Sequence, residues 1–217
     1  YAFHTLGSSC VIHSHAYAAV RGMPLRNAAE DFYLLNKLAK VGPVHCARGV
    51  GVSITSRQSN RVPFGTGPAV GRLMDATDPC DVPLFYHADC FAVLGQLLQL
   101  FRHWCNEPKT DTQAQLIEHL GAAIGADLER LLTQWDYQKA LRHIHTAGRS
   151  DAARQQHIHT WLDGFRLLKI IHLLRDHHFP NLTLNETMRL PDQWPVTHTG
   201  TPSGLLDAIY AHFGWSL

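Results

Sequence analysis

Apolar residues recur at three- and four-residue spacing through most of the chain after residue 84. Phe91, Leu94, Leu98, Phe101 and Cys105 form one series, and Leu116, Leu120, Ile124, Leu128, Leu131 and Trp135 form a second. A third, Ile158, Trp161, Phe165, Leu168 and Ile171, opens after the cap signal Ser150-Asp151 and stops at Phe179-Pro180. Such spacing keeps apolar side chains on one stripe of an α-helix. Leu167, Ile170 and Leu174 widen the third stripe, so that helix is expected to be buried on two sides. A last short helix is expected from Leu205 to Phe213, capped by Ser203.

Before residue 84 the pattern is different. Residues 5–13, TLGSSCVIH, combine small and β-branched residues and predict a strand. A short helix is expected over 14–20, broken at Gly22-Met23-Pro24. The segment AAEDFYLLNKLAKVG then predicts a well-defined helix, with Asn27 as N-cap, Glu30 three residues on, and Gly42-Pro43 as its stop. Two short strands are expected at 44–48 and 50–56, and SRQSNRVPFGTGPAVG reads as a loop. The chain therefore reads as α+β and predominantly helical: an α/β portion over residues 1–83 and a helical region over 84–217.

Composition narrows the function. Nineteen Lys and Arg against 18 Asp and Glu leave a formal net charge of +1, so nucleic acid or an anionic membrane is not expected as the partner. The five cysteines are scattered, with no CxxC, which argues against a zinc ribbon or a disulfide framework and fits a reducing, cytoplasmic setting. The apolar run from Phe91 to Phe101 is interrupted by Gly95, Gln96 and Gln99, too short and polar to span a bilayer. The sequence begins at Tyr1 without a signal-peptide pattern, and the expectation is a piece of a longer protein.

Three groups of residues carry candidate chemistry. Glu30 and Asp31 stand together at a helix start. On a helix Asp31 shares a face with Leu35 and Leu38, at the end of a stripe facing the core, whereas Glu30 lies about 100° around and can reach back to the Asn27 amide. Acids are favoured at such positions by the helix dipole alone, so the local reading leaves a structural and a catalytic role both open. The loop with Arg57, Arg61 and Gly65-Thr66-Gly67 suits a diphosphate, although it matches neither a P-loop nor a GxGxxG turn, and a glycine-rich surface connection explains it equally well. Sixteen histidines include the pairs His13/His15, His143/His145 and His157/His159, whose i,i+2 spacing shares a face only on a strand. There is no HExxH and no GxSxG.

The order of segments adds a resemblance. HTLGSSCVIHSHAYAAVRGMPLRNAAEDFYLLNKLAKVG resembles the second half of the catalytic domain of family-two glycosyltransferases, which have the A-type fold. That family carries a Gly-Ser turn after a strand, then xRxxAYxxVGG, then an EDxxLxxRLxxxG helix. Here the corresponding residues are Gly7-Ser8, the run Ala16-Tyr17 to Val20-Arg21-Gly22, and Glu30-Asp31 through Leu34 and Leu38 to Gly42. The resemblance implies an inverting transferase in which Asp31 is the catalytic base toward an acceptor hydroxyl, with Glu30 supporting the acceptor pocket or the helix start. It also implies a nucleotide-sugar donor and a divalent Mg or Mn ion held by a DxD motif in a preceding nucleotide-binding half. No DxD occurs in these 217 residues, since Asp75, Asp78 and Asp81 have the wrong spacing. The expectation is thus a C-terminal fragment, without metal or donor site of its own and inactive alone. Rival expectations are a non-catalytic helical module that binds a partner or forms a homodimer, and, more remotely, a histidine-ligated metal hydrolase.

Overall fold

The computed structural model describes residues 10–45, 57–59, 65–107, 110–190, 196 and 200–213, apart from the side chains of Tyr210 and Phe213. The protein is predominantly helical. Its contacts divide it into two compact units, Tyr1–Phe85 with Asn181–Leu217, and Tyr86–Pro180.

Among its described residues the second unit holds six helices packed as a bundle: α4 (Ala88–Asn106), α5 (Thr112–Leu120), α6 (Ala122–Gln134), α7 (Tyr137–Ala147), α8 (Asp151–Trp161) and α9 (Gly164–His177). Side-chain caps set where many of them begin. The His87 imidazole accepts from the Asp89 N–H, and Asp111, Ser150 and Asp163 accept from the backbone N–H three residues on. Helix α4 touches α5, α7, α8 and α9. Its Leu97, Phe101 and Trp104 meet Leu116, Leu128, Leu132, Tyr137, Ile144, Leu162, Ile170 and Leu174 in a core from which solvent is almost excluded.

Two of the apolar series each hold more than one helix. Gly121, at φ 83°, separates α5 from α6 inside the series from Leu116 to Trp135. The third series is cut at Leu162-Asp163, where the Asp163 carboxylate caps a new helix in the middle of the stripe. A tight turn preserves the apolar phase on either side of it, so periodicity alone reads through the break. Helix α7 belongs to none of the three series.

The first unit contains α1 (Ser14–Ala19), α2 (Glu30–Leu38), α3 (Thr66–Asp75), a 3-10 turn at Pro79–Asp81, α10 (Leu184–Arg189) and α11 (Pro202–Phe213). Val20, Leu34, Leu35 and Leu38 form a small buried cluster, with Ile12, Ala16 and Val44 against it. An isolated antiparallel bridge joins Phe85 and Leu182, and Asn185 donates from Nδ2 to the Asp81 carboxylate at 2.9 Å. Thr183 and Glu186 form a reciprocal capping box at the start of α10.

Several sequence expectations change here. An A-type α/β segment is not supported: the described residues contain no strand beyond that bridge. Residues 10–13 and 44–45, the described parts of the expected strands, are not in a strand. The remainder of the expected strands, residues 5–9, 46–48 and 50–56, lies outside the described residues, as do Gly7 and Ser8. The loop expected over residues 56–71 ends at its first glycine, Gly65, because α3 begins at Thr66. Pro68 sits in the first turn, where a missing N–H costs no helical bond. The cap of the last helix is Thr201, whose hydroxyl accepts from the Gly204 N–H at 3.1 Å, and Ser203 lies inside the helix. Helix α2 begins at Glu30 with Ala29 as its cap, not at Ala28 with Asn27 as cap.

Candidate functional site

Asp31 and Glu30 are the first two residues of α2. Below them Leu34, Leu35 and Leu38 turn inward, only 2%, 5% and 8% exposed. Asp31 thus stands at the end of the buried stripe, as its spacing from Leu35 and Leu38 requires. One of its oxygens, Oδ1, accepts from the Phe32 N–H at 2.7 Å, meeting one of the backbone donors that a helix start leaves without an intrahelical partner. Glu30 occupies the first helical position, so it cannot make the reciprocal contact expected of a third-position Glu. Both side chains are half-buried.

The chain leading into these acids is fastened closely. Helix α1 ends at a turn in which Arg21 and Gly22 both have positive φ, 59° and 70°. The Tyr17 ring lies against Gly22, and a Cβ there would come within 3.1 Å of it. The Tyr17 hydroxyl accepts from the Met23 N–H at 3.1 Å. From α2, Lys37 Nζ donates to the Gly22 carbonyl at 3.2 Å. The Arg26 guanidinium lies 3.7 Å from the centre of the Tyr33 ring, a cation–π contact. Last comes Ala29 at φ 57°, a left-handed conformation that costs an L-residue roughly 1–2 kcal/mol. Sequence reasoning singled out none of Tyr17, Arg26, Lys37 or Ala29 for chemistry. The signal available was the spacing of Tyr17 and Gly22, which names the contact pair without saying what it does.

The second candidate group is brought together in part. Arg57 is exposed, and the segment 57–59 runs beside the start of α3. A Cβ on Gly67 would lie 2.6 Å from the Ser59 carbonyl oxygen, and one on Gly71 would lie 3.2 Å from the Gln58 amide. Gly67 is therefore required by close backbone approach. Gly65 caps α3 at φ 93°, and the cap uses no side chain. Arg61 lies outside the described residues.

The histidine pairs fare differently: His13 and His15 stay together, with ring centres 5.2 Å apart, whereas His143 and His145 part. His13 caps α1, its Nδ1 accepting from the His15 N–H at 3.3 Å. His143 meets His157 across α7 and α8, with ring centres 6.0 Å apart, rather than its i+2 neighbour His145, whose Nδ1 bonds the Cys105 carbonyl at 3.0 Å. Helical geometry explains this, because residues two apart point nearly oppositely while facing helices bring distant residues together. Asp127 gathers Arg130 at 2.9 Å and His178 at 3.1 Å. Among the described residues no group of three or more His, Cys, Asp or Glu side chains is arranged to hold a metal ion. No helix among them is long and apolar enough to cross a membrane.

Protein-family models, curated proteins and solved structures were each compared with the chain, and none matches it.

Proposed function

We propose that the chain is the acceptor-side portion of an inverting glycosyltransferase, in which Asp31 takes the proton from an acceptor hydroxyl as that oxygen attacks the anomeric carbon of a nucleotide sugar. The observation that carries the reading is the position of Asp31: a half-buried carboxylate in the first turn of a nine-residue helix, above an apolar stripe. The order of segments before it supports the same reading, with an Ala-Tyr helix, a Gly22 turn packed on Tyr17, then the Glu-Asp helix.

The chemistry asks little of the carboxylate beyond ionisation and aim. As the acceptor oxygen closes on the anomeric carbon, its O–H bond weakens and the proton passes to Asp31, while the nucleotide diphosphate departs from the opposite face. The bond from Phe32 N–H to Oδ1 narrows the orientations open to that carboxylate. In this reading Glu30 supports the acceptor pocket or the helix start, and Arg57, Arg61 and Gly65-Thr66-Gly67 are the candidate contacts for the donor diphosphate. A nucleotide sugar is the donor. The described residues do not fit a divalent ion, so no step is assigned to one here; in the parent enzyme the Mg or Mn ion belongs with the donor half.

The test is transfer and donor hydrolysis by the full-length parent protein, with and without Asp31→Asn. The isosteric amide preserves the bond from Phe32 but cannot accept a proton. A loss of about 10²–10⁴-fold in kcat is expected, the range for a positioned general base. Undiminished transfer would remove Asp31 from the role.

A further inference from the structure

Helix α2 does not begin where its own start signals put it. Asn27 as a cap, Ala28 and Ala29 as strong helix formers, and Glu30 at the third position specify a helix from Ala28. The structure instead holds Ala29 at φ 57° and opens the helix at Glu30, the first helical bond running from Tyr33 N–H to the Ala29 carbonyl. A local preference has been overridden, and the override has identifiable causes. The 21–29 connection is tied at its start by Tyr17 to the Met23 N–H and by Lys37 to the Gly22 carbonyl, and further along by Arg26 on the face of Tyr33.

The two possible starts differ at Asp31. In the longer helix Asp31 would be the fourth helical residue, and the Phe32 N–H would bond the Ala28 carbonyl. In the observed start that N–H is held by Oδ1 of Asp31 itself. Moving the start therefore replaces the contact that orients the carboxylate.

We propose that Tyr17 and Lys37 are positioning residues: they latch the 21–29 connection in the short-helix register, and releasing the latch extends α2 backward over Ala29 and Ala28 and withdraws Asp31 from the first turn. The consequence for catalysis rests on the transferase reading, whereas the change of register does not.

Two measurements separate these parts. In the 217-residue chain, NMR reads amide exchange of Met23 and the Cα shifts of residues 27–29 in Tyr17→Phe with Lys37→Met. Each substitution keeps most of the side-chain bulk. The double variant should exchange Met23 about tenfold or more faster, the effect of losing bonds of ordinary strength, and the Cα shifts of Ala28 and Ala29 should move to helical values. Adding Ala29→Gly should return them, because glycine takes a positive φ without strain. In the full-length parent the double variant should raise the acceptor KM several-fold with the donor KM unchanged, and Ala29→Gly should restore it. Unchanged exchange and shifts would overturn the latch. A register that moves while acceptor kinetics stay put would overturn the positioning role, and a parent with no transfer at all would sink the transferase reading while leaving the latch intact.

Discussion

Tyr137→Phe removes one oxygen atom from the core of the helical bundle, and its effect can be worked out from the bonds that oxygen makes. The Tyr137 side chain is fully buried beside Phe101 and Trp104. Its hydroxyl donates to the Glu129 carboxylate at 2.8 Å, which leaves the oxygen to accept from Thr112 Oγ1 at 2.7 Å and from Gln138 Nε2 at 2.9 Å. Gln138 also donates to Thr112 Oγ1 at 2.7 Å, closing the network. The bond to a carboxylate is the stronger kind, worth about 1.5–3 kcal/mol, and the neutral bond from Thr112 adds about 1 kcal/mol. Glu129 is half-exposed and regains water, so the net loss is expected at roughly 2–3 kcal/mol, or a fall in Tm of roughly 10–20 °C for a unit of this size. Urea unfolding followed by the fluorescence of Trp104, whose ring centre lies 6.2 Å from that of Tyr137, reads it directly.

The same group makes a prediction at alkaline pH. Burial, with the Glu129 carboxylate beside it, pushes the Tyr137 phenol from about 10 up to about 12. A group whose folded pKa is raised lends stability that is complete below its unfolded value and lost as pH rises through the folded one. Wild-type stability should thus fall between about 10 and 12, and Tyr137→Phe should be flatter in that window. The Cys105 thiol, pushed by burial from 9.0 to about 11, contributes its own slope in both proteins. A variant within about 0.5 kcal/mol of wild type at neutral pH, or one with the wild-type alkaline slope, would refute the assigned network.

Two further predictions concern the same bundle. Gly125→Ala should destabilise by about 1–2 kcal/mol, overpacking outweighing helix propensity, because its Cβ would lie 2.9 Å from the backbone of Leu116 and Ile117. Gly95→Ala, in the middle of α4 with nothing within 4 Å, should stabilise by roughly 0.5–1 kcal/mol; thermal unfolding checks both, and equal signs would contradict the packing. Burial, then the charge of Arg175, lowers the His172 pKa from 6.5, so the folded unit binds a proton there less readily than the unfolded chain. Stability should therefore fall as pH drops below about 6.5 toward the lowered folded value, and His172→Gln should reduce that slope in acid titrations followed by circular dichroism.

Legibility differed by element, for physical reasons. The helical stripes were plain because a side chain facing a core must recur with the helical period, whatever it packs against. Their divisions at Gly121 and Leu162-Asp163 were not, since a turn that keeps the phase leaves the pattern unbroken. The strand expected over residues 5–13 had suitable composition, but composition does not specify a pairing segment, and its described residues, 10–13, are not in a strand. At the candidate site, the placing of Asp31 on the face of Leu35 and Leu38 followed from spacing alone. The start of its helix did not: Asn27, Ala28, Ala29 and Glu30 all favoured the longer form.

The sequence by itself determined the helical class, the faces that turn inward, and the pairing of two carboxylates at the head of an apolar stripe, because each follows from the period of the backbone and the cost of leaving apolar surface in water. Only the tertiary structure decided where α2 begins and which neighbours hold it there. Tyr17, Lys37 and Arg26 act on the 21–29 connection through contacts made across a turn or between helices, and such contacts outweigh a preference of one or two kcal/mol in the residues that they constrain.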